Sequence, residues 1–405
     1  MYDVIIVGAR CAGSALAMLL SRQGAKVLLL DRATFPSDIP HGHLIYRHGP
    51  RRLQRWGVLD RLTARTPPIR SMLFDVGDFP LVARELVEDG VALGYGPRRK
   101  TFDGCFAEIA VESGAELRTG VCVTDYLIEG GRVAGIRGRE RDGDCIKERA
   151  TITVGADGRY SRLARTVQAP TYNYVPTILC YYFSYWSGFK GEDFELYDRS
   201  EQKRIIFGFK TEDNLFAVFV GLPIAELSDT RRDVEGSFMR AVDVVPDFAE
   251  RIRAGRREER FCGASDLPNA YRKPYGPGWA LVGDAGLHKD PYLALGMCDA
   301  LRDTEFLAEA ITQGMTGQHP IHEALAGYET RRNEASASDY QENIARAQFK
   351  KFSPQFMAVR AAVRHRPDEA RNMIKAVMGM TDPDRFLGSD NLGRLLGGGL
   401  EPLPV

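Results

Sequence analysis

The segment Asp3-Val4-Ile5-Ile6-Val7-Gly8-Ala9-Arg10-Cys11-Ala12-Gly13 decides the fold. Its apolar run ends in glycine, a helical pattern continues from Gly13 to Arg22, and a second apolar run, Val27 to Leu30, is closed by Asp31. A short run without polar alternation suits a parallel strand buried on both faces, so the segment reads as strand, helix, strand. Gly8 permits the tight turn, Gly13 allows close helix packing, and the helix N-terminus attracts a pyrophosphate. Asp31, at the end of the second strand, is placed to hydrogen-bond a ribose hydroxyl. Arg10 stands where the G-x-G-x-x-G pattern has its middle glycine, and its guanidinium can add a charge contact to phosphate. The same residues also make an ordinary structural turn, so further signals are needed.

Composition narrows the classes. A chain of 405 residues exceeds what one growing core accommodates, which predicts two packed domains plus a tail. Lys+Arg and Asp+Glu balance at 54 each, removing the electrostatic footprint of a nucleic-acid binder. Arg251, Arg253, Arg256 and Arg257 lie among acids and read as a solvated face. Seven cysteines with no C-x-x-C pair suggest neither a disulfide framework nor a metal site, and fit a reducing, cytoplasmic setting. The apolar stretch from Val4 to Leu20 lacks a basic leader and is interrupted by Arg10 and several glycines, so it reads as folded structure and not as a signal or a membrane span.

Further along, a helix is predicted over Thr101 to Ser113, then strands over 115–128, 132–139 and 145–155. From 172 to 225 the pattern changes to long aromatic strands, as in Tyr181-Tyr182-Phe183-Ser184-Tyr185-Trp186, which suits an antiparallel sheet that the stretch 71–97 joins. Helical patterns dominate from about 320 onward. The expected division is a discontinuous dinucleotide-type domain over 1–70, 98–170 and 270–345, an inserted sheet domain over 71–97 and 171–269, and a helical region over 346–405.

Two more glycine-and-acid turns follow strands: Gly155-Ala156-Asp157-Gly158-Arg159, and Leu281-Val282-Gly283-Asp284-Ala285-Gly286 ahead of Pro291, Gly296 and Met297. Read singly, the first is an ordinary turn and the second a helix cap by Asp284. Taken in order and spacing, the three turns resemble the para-hydroxybenzoate hydroxylase family of flavin monooxygenases over most of residues 1–345. The resemblance implies an α/β chain with a Rossmann-like, GR2-type FAD-binding domain, an inserted antiparallel β-sheet substrate domain and C-terminal helices. It implies that FAD is held by Gly8, Ala9, Cys11, Ala12, Gly13, Asp31, Arg32, Arg99, Val123, Asp157, Gly283, Asp284, Pro291, Gly296 and Met297. Within that set, Asp31 holds the adenosine ribose, Asp157 lies near pyrophosphate and incoming nicotinamide, and Asp284 binds the ribityl or pyrophosphate region. Arg99 matches the family's flavin-contacting arginine, and Val123 sits where a backbone faces adenine.

The pattern is not kept everywhere. The family's histidine position after the Gly-Asp acid is Leu287, with His288 one step later, and the later G-x-G-x-N becomes Ala294, Gly296 and Cys298. The reaction implied by resemblance is reduction of FAD by NADH or NADPH, formation of a flavin C4a-hydroperoxide, and hydroxylation or epoxidation of an aromatic or polycyclic molecule. His288 and Asp290 are candidates for the acid and base work, because an imidazole titrates near neutrality. His41, His43 and Arg47 occupy a loop where the family touches or gates the flavin. At strand spacing Tyr181, Phe183 and Tyr185 share one face and Tyr182, Ser184 and Trp186 the other. One face packs on helices and the opposite one lines a pocket; spacing does not choose between them, and Tyr181, Phe183 and Tyr185 are carried as the pocket candidates. Partners are then a small molecule and oxygen, with no nucleic acid and no membrane, in a monomer or homodimer. Competing readings are a flavin reductase of the geranylgeranyl-reductase type and a non-catalytic flavin binder. A flavin halogenase is disfavoured because W-x-W-x-I-P is missing around Trp56, Trp186 and Trp279.

Overall fold

Val4, Ile5 and Ile6 have no solvent exposure, and neither do Leu28, Leu29 and Leu30. Their strands, Tyr2–Val7 and Val27–Asp31, pair in parallel, with Val4 beside Val27 and Val7 beside Leu30. The helix Cys11–Arg22 joins them. The first strand pairs on its other side with the strand Cys145–Gly155, again in parallel. Glu116–Thr119 and Trp279–Leu281 extend this arrangement to five parallel strands. Apolar burial on both faces is what these uninterrupted runs predict.

The computed structural model describes residues 1–37, 39 and 42–396. They fall into two compact units. The first comprises Met1–His43, Arg98–Pro176 and Pro268–Tyr340 and contains the parallel sheet. Cys145–Gly155 is long enough to serve two sheets: its first half pairs antiparallel with Arg132–Arg139, which pairs with Cys122–Glu129. The helices Arg99–Glu112 and Gly296–Met315 both pack on Cys11–Arg22.

The second unit comprises Leu44–Pro97, Thr177–Leu267 and the described chain after Tyr340. Its centre is an antiparallel set, Leu179–Ser187, Phe216–Pro223, Arg204–Lys210 and Phe194–Arg199, to which Met72–Asp75 and Pro80–Ala83 add. One face, carrying Tyr182, Trp186, Val218 and Val220, packs on Phe238, Val242, Phe248 and Ile252 of the helices Val234–Val242 and Pro246–Ala254.

Besides shifts of a few residues at 171–176, 268–269 and 341–345, two boundaries differ from those the sequence suggests. Residues 44–69 group with the second unit, because Ile45–Tyr46 and Pro68–Ile69 both pair with Gly94–Tyr95. The C-terminal helices are no separate region. Arg360, fully buried, donates to Asp78 Oδ1 at 2.8 Å and to the Phe79 carbonyl at 2.6 Å, and Lys375 pairs with Glu88 at 2.7 Å. These anchors tie the helices to two hairpins of the same unit, 72–83 and 87–92.

Candidate functional site

Three parallel strands of the first unit end side by side, and each runs into one of the glycine-and-acid turns. The Gly8 N–H donates to Leu30 O at 2.7 Å, the Ala156 N–H to Val7 O at 2.8 Å, and the Val282 N–H to Gly155 O at 3.0 Å. Gly8 has φ +108°, a region that side chains disfavour. A Cβ there would sit 2.4 Å from the Ala156 carbonyl oxygen, and one on Gly13 would sit 1.7 Å from the Gly8 carbonyl oxygen. The third turn joins them through Gly283, where a Cβ would stand 3.1 Å from Ala12 Cβ. The structure therefore brings Gly8, Ala9, Cys11, Ala12, Gly13, Asp157, Gly283 and Asp284 together.

The acids of these turns differ in what already holds them. Asp31 accepts the Ala9 N–H and the Ala33 N–H, both at 2.8 Å, so it braces the first turn as well as facing it. Arg32 beside it is exposed. The Val121 N–H donates to Asp31 O at 3.0 Å, which sets the strand bearing the buried Val123 alongside. Asp157 accepts the Arg162 N–H at 2.9 Å through Oδ2, while Oδ1 is buried with no hydrogen-bond partner. Burial pushes the Asp157 carboxyl above its ordinary range, against the opposing pull of hydrogen bonds to Ser161 and the Arg162 N–H. No protein hydrogen bond occupies the Asp284 carboxylate among the described residues.

Two guanidinium groups meet one buried acid beside the first turn. Asp103 has no exposure, and it accepts from Arg99 at 3.1 Å through both oxygens and from Arg10 at 3.1 Å. Arg10 also donates to Ser37 Oγ at 3.1 Å. Although burial opposes the charge on Arg99, Asp103 outweighs that cost and Asp284 adds to the effect, so its pKa is raised. Asp103 was not singled out in the sequence. Its signal is spacing: four residues after Arg99, on the same helix face. Arg272 lay in no motif, yet it clamps two turns by donating to the Ala285 carbonyl and the Arg159 carbonyl, each at 2.9 Å.

Beyond the third turn, His288 is 8 % exposed and its Nδ1 lies 2.5 Å from the Pro268 carbonyl. A carbonyl only accepts, so Nδ1 donates to it and Nε2 is the ring nitrogen left for a further partner. Asp290 caps the short turn Pro291–Leu293 by accepting the Tyr292 N–H at 3.0 Å. Between them, Lys289 pairs with Asp299 at 2.6 Å, and Asp299 pairs with Arg302 at 2.8 Å, all buried. This cluster pins the His288 segment to the helix that begins at Gly296 and carries the buried Met297.

The remaining candidates are dispersed. His43 is buried in the first unit, whereas Arg47 belongs to the second, with φ +51° and its Cγ 3.0 Å from where a Cβ on Gly379 would be. His41 lies outside the described residues. Tyr181, Phe183 and Tyr185 are all buried on the sheet face opposite the one that packs on the helices. Phe183 stacks on Phe219 at 4.7 Å, and Phe219 on Phe207 at 4.8 Å, so this face is continuously aromatic.

Residues 1–179 match the FAD binding domain family model. A digeranylgeranylglycerophospholipid reductase of Methanocella arvoryzae is 26% identical over 355 residues, 84% of this chain and 85% of that protein. The myxobacterial chondrochloren halogenase CndH has a similar structure, with a TM-score of 0.78 and 20% identity, covering 98% of this chain and 97% of that one. The Pseudomonas aeruginosa protein PqsL, solved with 2-aminobenzoylacetate, gives a TM-score of 0.71 at 20% identity over 86% and 98%. At such identities the structural likeness shows the fold alone. The chain is an FAD-dependent oxidoreductase of mixed α/β fold. No helix among the described residues is long and apolar enough to cross a membrane.

Proposed function

We propose that the chain is a monooxygenase that uses FAD and NADH or NADPH to hydroxylate or epoxidise an aromatic or polycyclic small molecule. The observation that carries the reading is the convergence of three glycine-and-acid turns beside one buried Arg-Asp-Arg cluster. The residues fit an extended dinucleotide. Gly8, Gly13 and Gly283 let the three turns close into one cradle, because a Cβ at each would meet Ala156, Gly8 or Ala12, and the Asp284 carboxylate is an open acceptor for a hydroxyl group. When bound, FAD supplies hydride acceptance and oxygen activation, which no side chain provides.

The protein's part is to bind, orient and move a proton. Asp31 and Val123 hold the adenosine end, and the helix N-terminus at Cys11 with Arg99 offsets phosphate charge. Pro291, Gly296 and Met297 would hold the flavin end. His288 accepts a substrate proton at Nε2, its ring oriented by the Pro268 carbonyl. Asp290, a cap in this fold, holds that segment in place. The aromatic face of Tyr181, Phe183 and Tyr185 receives a ring-bearing substrate by offset stacking.

A second reading is supported by the reductase relative, whose likeness extends over most of both chains. In it the same cradle serves reduction of an isoprenoid alkene. The experiment that separates them mixes the purified yellow protein anaerobically with NADPH or NADH, with and without phenolic or indolic candidates, and then admits oxygen. The monooxygenase reading predicts flavin bleaching and an oxygen-dependent product heavier by one oxygen atom. Bleaching with alkene reduction in the absence of oxygen supports the reductase instead.

A further inference from the structure

A cavity of about 750 Å³ lies in the first unit and includes none of the residues of the three glycine-and-acid turns named above as cofactor holders. Its floor is apolar: Val133, Ile152, Trp279 and Leu325 are each less than 9 % exposed within the folded chain. At its lip stands Ile128, 53 % exposed, a large aliphatic side chain left in water. The rim carries Arg132, Lys273 and His322, and no carboxylate lines the cavity. Neither Arg132 nor Lys273 has a carboxylate partner among the described residues. Arg132 donates to the Thr151 carbonyl at 2.5 Å, and Lys273 lies over the Tyr275 ring at 5.0 Å, so both heads are held at the rim. His322 Nε2 lies 3.9 Å from Glu323 Oε1, its neighbour in the chain.

We propose that this cavity binds an amphipathic anion, an apolar chain or ring ending in a carboxylate, at a site distinct from the FAD cradle. The size lies within the range of small-molecule pockets. Water solvates the floor poorly, which favours an apolar body, and two cations without acidic partners select a negative head. The proposal does not depend on which reaction the flavin site performs.

Calorimetric titration of the FAD-loaded protein with dodecanoate tests it, using dodecyltrimethylammonium as the chain without the negative head and acetate as the head without the chain. One saturable site for dodecanoate is expected, with neither control saturating it at the same concentrations. Lys273→Glu and Arg132→Glu, both at the rim, should each weaken binding at least tenfold while FAD content stays unchanged. Ile128→Asp, at the lip, should weaken it as well. Absence of saturable dodecanoate binding, equal affinity in all three variants, equal binding of the cationic chain, or release of FAD on saturation would each overturn the proposal.

Discussion

Gly8 and Ala156 approach so closely that a Cβ on Gly8 would stand 2.4 Å from the Ala156 carbonyl oxygen, although 148 positions separate them in the chain. The first and second turns thus form one surface. Gly8→Ala should force them apart and strain a backbone already at φ +108°, costing about 1–3 kcal/mol. Chemical denaturation of the apoprotein should show that loss, together with weaker FAD retention.

Asp284 and Asp31 should separate cofactor binding from folding. The Asp284 carboxylate makes no protein hydrogen bond among the described residues, so Asp284→Ala should lower FAD affinity and leave the apoprotein's unfolding midpoint nearly unchanged. Asp31→Ala strands the Ala9 and Ala33 N–H groups and should destabilise the apoprotein by about 2 kcal/mol as well. Equal effects on the apoprotein would contradict the distinction.

Asp103 offsets two guanidinium charges at zero exposure. Removing one partner of a buried pair leaves uncompensated charge, so Asp103→Ala should cost about 3–5 kcal/mol. Adding Arg99→Met to that variant should recover part of the loss, read as a shift in denaturation midpoint.

Asp157 gives a pH-dependent prediction. Burial raises its folded-state pKa, so its stabilising contribution is complete below the unfolded carboxyl pKa and is lost as pH rises through the folded value. At neutral pH the ionised group therefore costs stability. Asp157→Asn, which keeps an acceptor for the Arg162 N–H, should stabilise the apoprotein at pH 7, and the gain should shrink as pH falls toward the ordinary carboxyl range. A gain that grows on acidification would contradict this.

The parallel sheet was legible because Val4 to Val7 and Val27 to Leu30 carry no polar alternation, and the turns because glycine and acid follow each strand. Which face of the Tyr181 strand packs on helices was not, since both faces are aromatic; the partners Phe238 and Phe248 lie over fifty residues away. Arg272 was invisible for a related reason: it donates to backbone carbonyls, and a carbonyl has no sequence signature. The placement of residues 44–69 turned on two-residue strands too short to carry a period.

The most direct measurement is titration of the apoprotein with FAD, followed by flavin fluorescence, in the wild type and in Gly13→Val. A Cβ at position 13 would meet the Gly8 carbonyl oxygen at 1.7 Å, at the centre of the cradle. The account predicts saturation at one FAD per wild-type chain and no tight binding by a folded Gly13→Val protein. One FAD held per chain by that variant, at wild-type affinity, would contradict it.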